Sequence, residues 1–207
     1  MILTMTAFDG IKFDGKLRMP KNEIADVLVI YVNGSGPNTY DNKRQYESTT
    51  FNYFDLFASE CVKRGIAFFS YNTRGVYPAD IPPAFHEVDE ALYKTYLPQN
   101  EVKDIETIIQ TLKWLPGLED ARVYLLGWSA GAMVASVVAL EANVQVDGLM
   151  LCGYPNGTME ETLLWQQTGG NMMLLLREYF QTDKSDSISK ESYDLDPNGL
   201  KATFGAF

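Results

Sequence analysis

The chain has 207 residues, of which 46% are hydrophobic and 21% charged, and a formal net charge of −10. Those figures suit one globular domain or slightly more, and exclude a disordered or collagen-like chain. The acid excess argues against nucleic acid as the main partner, and no apolar run approaches the roughly 20 residues of a membrane span.

Ile2 to Phe8 and Ile11 to Met19 read as two short strands joined at Asp9-Gly10, a hairpin turn signal. Asp26 to Val32 is a continuous apolar run, as expected of a strand buried on both faces, and Asn33-Gly-Ser-Gly-Pro37 ends it. Residues 38–50 are polar and read as loop. An apolar stripe predicts a helix over Phe51 to Arg64, stopped by Gly65. Ile66 to Tyr71 is a second buried strand, followed by Asn72-Thr-Arg-Gly75. Residues 76–98 hold four prolines and no clear period, so an irregular excursion with at most one short helix is expected. Asn100 is the expected N-cap of a helix over Glu101 to Leu115. Arg122 to Leu126, Ala130 to Ala142 and Asp147 to Cys152 continue as strand, helix and strand. This alternation predicts an α/β chain with a mostly parallel sheet and helices on both faces.

After Gly153 the character changes. Glu160 to Gln181 carries helical signals, with a greasy patch at Met172 to Leu176, and residues 182–199 are rich in Ser, Asp and Lys. Residues 1–155 read as the core and 156–207 as an incomplete, cap-like helical insertion. Asp194-Leu-Asp-Pro-Asn-Gly199 opens like a calcium loop, but Gly205 stands where the bidentate glutamate belongs. Cys61 and Cys152 are expected to be reduced thiols. The N-terminus has neither the basic nor the long apolar segment of a signal peptide, so a cytoplasmic location is expected.

Gly127-Trp-Ser-Ala-Gly131 matches G-x-S-x-G between a buried strand and a helix. A strand-to-helix turn this tight strains the serine backbone and exposes its hydroxyl, and the helix N-terminus supplies free N–H groups for an oxyanion. Ser129 is therefore the candidate nucleophile. The glycine-rich turn after the first buried strand is the candidate second half of an oxyanion hole, through the amides of Ser35 and Ala130. Gly34, Trp128 and His86 are the candidate substrate contacts. Arg74 is expected to pair with a carboxylate and brace the loops.

The order of Asn33-Gly-Ser-Gly, Asn72-Thr-Arg-Gly75 and Gly127-Trp-Ser-Ala-Gly131 resembles the α/β-hydrolase superfamily. Within it, the chain is similar to the serine-aminopeptidase-like and dienelactone-hydrolase-like esterases, over about residues 1–155. Asn33 stands where many members have histidine, and Asn72 where many have aspartate. The resemblance implies hydrolysis of a small carboxylic ester, less readily an amide, through an acyl-enzyme, with no metal or organic cofactor. It also implies a catalytic acid and then a histidine after the serine. Here the single histidine, His86, precedes Ser129. The expectation is thus the N-terminal part of a longer hydrolase, truncated after the sixth strand, with base and acid beyond the chain end and little activity alone. A non-catalytic small-ligand-binding module and an acyltransferase are the alternatives.

Overall fold

β-Branched and aromatic residues fill Val27–Val32 (β3) and Ala67–Tyr71 (β6), and the side chains of both strands are buried on either face but for the half-buried Val27. In the computed structural model, which describes residues 1–154, these strands lie at the centre of a six-stranded sheet. The hairpin of β1 (Ile2–Thr6) and β2 (Lys12–Arg18) forms one side, antiparallel throughout, with β2 also antiparallel to β6. β6, β3, β9 (Arg122–Trp128) and β10 (Gly148–Cys152) then run parallel, in that order.

Alternation along β3 assigns its two faces. Leu28, Ile30 and Val32 pack with Ile105, Ile108 and Leu112 of α3 (Pro98–Lys113), and with Val134, Ala135 and Val138 of α4 (Ala130–Glu141). Val29 and Tyr31 face the other way, onto Phe54 and Ala58 of α1 (Tyr53–Lys63). Period-2 strands and a period-3.6 helix stripe thus meet as a three-layer sandwich, as the sequence pattern requires. Small residues let α4 sit close to the sheet, where Ala132 and Ala135 are fully buried.

Three local expectations are corrected. Residues 38–50 are not all loop: β4 (Lys43–Tyr46) and β5 (Thr49–Asn52) form an antiparallel ribbon. Its polarity hid it, because neither strand contributes a buried residue. Phe51 belongs to this ribbon, and α1 begins two residues later, capped by the Asn52 side chain. The excursion holds a second ribbon, β7 (Val76–Pro78) with β8 (His86–Val88), and the short helix α2 (Glu90–Tyr93). Asn100 does not cap α3. Leu97 holds that position with Pro98 opening the helix, a favoured site for proline because its missing N–H has no helical partner there.

Both cysteines are free thiols. No helix among the described residues is long and apolar enough to cross a membrane. The expected helical signals of residues 160–181, the cap-like insertion and the calcium-like stretch lie outside the described residues.

Candidate active site

Ser129 lies between β9 and α4 with φ 53° and ψ −121°, a conformation that costs a non-glycine residue about 1–3 kcal/mol. Its neighbours force the strain and hold it. Ser129 donates its N–H to the Cys152 carbonyl at 2.8 Å, tying the turn to the end of β10. A Cβ on Gly127 would stand 2.5 Å from the Gly131 carbonyl oxygen. A Cβ on Gly131 would collide with the carbonyl oxygens of Val32 and Asn33. Glycine is therefore required at both positions by close backbone approach.

The turn after β3 lies directly against this elbow. A Cβ on Gly34 would be 3.0 Å from the Trp128 carbonyl oxygen and 3.5 Å from Ser129 Cβ. The Asn38 amide spans the turn, donating to Gly34 O at 3.1 Å and Gly36 O at 3.0 Å. Asn33 is buried and donates to Tyr71 O at 3.1 Å, while Asn72 Oδ1 accepts the Tyr40 N–H at 2.8 Å. The two asparagines that depart from the family pattern thus fasten the loop by neutral hydrogen bonds. Among the described residues, the amides of Ser35 and Ala130 donate to no protein acceptor. Ala130 opens α4, where an N–H has no intrahelical partner.

A cavity of about 540 Å³ opens here. Gly34, Ser35, Trp128 and Ser129 all line it, so four of the sequence-derived candidates converge. Tyr31, Phe54 and Phe57 supply apolar wall, and Trp128 is largely exposed. His86 is not among the lining residues. It sits on β8 with Nδ1 3.1 Å from Ala84 O. The lining also includes Asn42 and Arg44 from the β4 ribbon, which sequence reasoning missed. The available signal was the Thr49-Thr50-Phe51 run after Glu47-Ser48, a β-prone segment behind a turn-forming pair.

Arg74 forms the expected brace. Its Nε and Nη2 donate to the two Asp104 carboxylate oxygens at 2.6 Å each, and Nη1 donates to Asp9 at 2.6 Å. Beside it, Glu101 is 4% exposed and accepts the Tyr71 hydroxyl at 2.8 Å. Burial raises its pKa to about 7 against that hydrogen bond. Among the described residues, no group of His, Cys, Asp and Glu side chains is arranged to hold a metal.

No protein-family model matches the chain, and no curated protein matches it. Among solved structures, it is similar to the Pyrococcus furiosus esterase Pf2001, with 17% identity and a TM-score of 0.55 over 87% of this chain and 58% of that one. It is equally similar in shape to a hypothetical protein from Pseudomonas aeruginosa, with 15% identity, a TM-score of 0.55, and 87% and 61% of the two chains covered. The chain thus spans about three-fifths of the length of these structures. The sheet order, flanking helices and these likenesses together establish the α/β-hydrolase fold.

Proposed function

We propose that Ser129 is the nucleophile of a serine hydrolase acting on small carboxylic esters, less readily on amides. The observation that carries this reading is the strained Ser129 backbone, enforced by Gly127 and Gly131 at the mouth of a cavity that Gly34 and Ser35 also line. Ser129 Oγ adds to the ester carbonyl carbon and its proton passes to a general base. The N–H groups of Ser35 and Ala130 hold the resulting oxyanion. Collapse expels the alcohol, which takes a proton, and leaves an acyl-enzyme that water hydrolyses in the second half. His86, the one histidine of this sequence, does not line the cavity and is not placed to be that base.

Prolonged incubation with a fluorophosphonate, followed by peptide mapping, tests the nucleophile. A single adduct on Ser129, absent from Ser129→Ala, is expected. An unmodified Ser129, under conditions that label a control hydrolase, would sink the reading.

A further inference from the structure

The cavity holds a cation that has no carboxylate partner among the described residues. Arg44 is half-buried and lines the same cavity as Ser129. Its Nη1 donates to the carbonyls of Lys43 and Ala84, each at 3.0 Å. No acceptor among the described residues meets its Nε–H or its Nη2–H groups. The other ribbon cation is served differently: Lys43 lies 3.5 Å from Asp80 and 4.0 Å over the Phe85 ring. Arg18 and Arg74, by contrast, each meet two aspartates.

Taking a guanidinium out of water without a counter-charge is costly, and burial accordingly lowers the Arg44 pKa from its ordinary value. The two backbone contacts on Nη1 fix the plane of the group and leave its Nε/Nη2 edge open. That edge presents two parallel N–H donors, which match the two oxygens of a carboxylate. Asn42, two residues earlier, lines the cavity as well, and its Oδ1 is buried without a hydrogen-bond partner among the described residues.

We infer that Arg44 anchors a carboxylate on the substrate, so that the preferred substrates are esters carrying a second, free carboxylate, such as half-esters of short dicarboxylic acids. This rests on the esterase reading of Ser129 and adds its specificity. The cavity is of a size for such a molecule, since small-ligand sites run from about 300 to 1,000 Å³. Tyr31, Phe54 and Phe57 would enclose the short methylene chain between the two ends.

Calorimetric titration of the full chain with monomethyl glutarate and with dimethyl glutarate tests the anchor. The half-ester is expected to bind about tenfold more tightly than the neutral diester, the scale of one charge-assisted bidentate contact. Arg44→Gln should erase that preference, and Arg44→Lys should keep part of it. Equal affinities in the wild-type chain, no binding of the half-ester, or a preference that survives Arg44→Gln would overturn the proposal. Fluorophosphonate labelling of the same samples separates the two readings. A carboxylate preference without any Ser129 adduct, under conditions that label a control hydrolase, would count against Ser129 and leave the Arg44 anchor standing.

Discussion

Two polar regions lie at different places on the fold, and they treat their unpaired groups oppositely. Around Arg74, each guanidinium nitrogen meets a carboxylate and the Glu101 carboxylate accepts a hydrogen bond from the Tyr71 hydroxyl. At the cavity, the Ser35 and Ala130 amides, the open edge of Arg44 and Asn42 Oδ1 have no partner among the described residues. The first region is a closed network that fixes a loop. The second holds strain and unsatisfied donors in place, which is the condition of a site waiting for a ligand. If the contrast is real, changes in the closed network cost stability, and changes in the open one cost binding or chemistry.

The largest expected effect is Arg74→Ala. It leaves the buried Asp104, together with the exposed Asp9, without its cation, and should destabilise by about 4 kcal/mol in urea titration. A loss under 1 kcal/mol would show that the network does not carry the loop. Gly131→Ala drives a methyl into the carbonyl oxygens of Val32 and Asn33 at the end of β3, for an expected loss of about 3 kcal/mol together with loss of Ser129 labelling.

Glu101 gives a pH signature. Its pKa is raised from 4.5 to about 7 in the folded chain, so the folded state binds the proton more tightly than the unfolded one. Its contribution is full below pH 4.5 and is lost as pH rises toward 7, by up to about 3 kcal/mol. Glu101→Gln should flatten that part of the stability curve while leaving ester binding intact. A pH dependence that persists in the variant would assign it elsewhere. The smallest effect has the opposite sign. Ser129→Gly removes the positive-φ penalty and should raise stability by about 1 kcal/mol while abolishing adduct formation. A destabilised glycine variant would mean that the serine is there for structure.

The open region was largely legible in the sequence, because backbone geometry restricts residue choice there. Gly127 and Gly131 are dictated by close approach, so they are visible as a motif without any knowledge of contacts. Gly34 and Ser35 followed from their place after a buried strand. The closed region was legible only at Arg74: nothing local in Glu101 or Asp104 distinguishes a buried carboxylate from one on the solvent face of a helix. Arg44 was missed for a related reason. The β4 ribbon buries no apolar face, so it has no hydrophobic period, and its register against the cavity is set by contacts distant in sequence, such as the Gln45 N–H to Pro83 O bond at 2.9 Å. The ribbon of β7 and β8 was missed likewise, because its strands are three residues each and the intervening prolines read as irregular.

The central claim is that Ser129 is a strained, half-buried nucleophile with its anion-holding amides in place and no histidine beside it among the described residues. Chemical rescue addresses that claim most directly: the rate of Ser129 modification by a fluorophosphonate is followed as imidazole is added at fixed pH. The account predicts slow modification without imidazole and a rate that climbs with its concentration, confined to Ser129 and abolished by Gly131→Ala. No Ser129 adduct at any imidazole concentration, with the chain still folded, would contradict it.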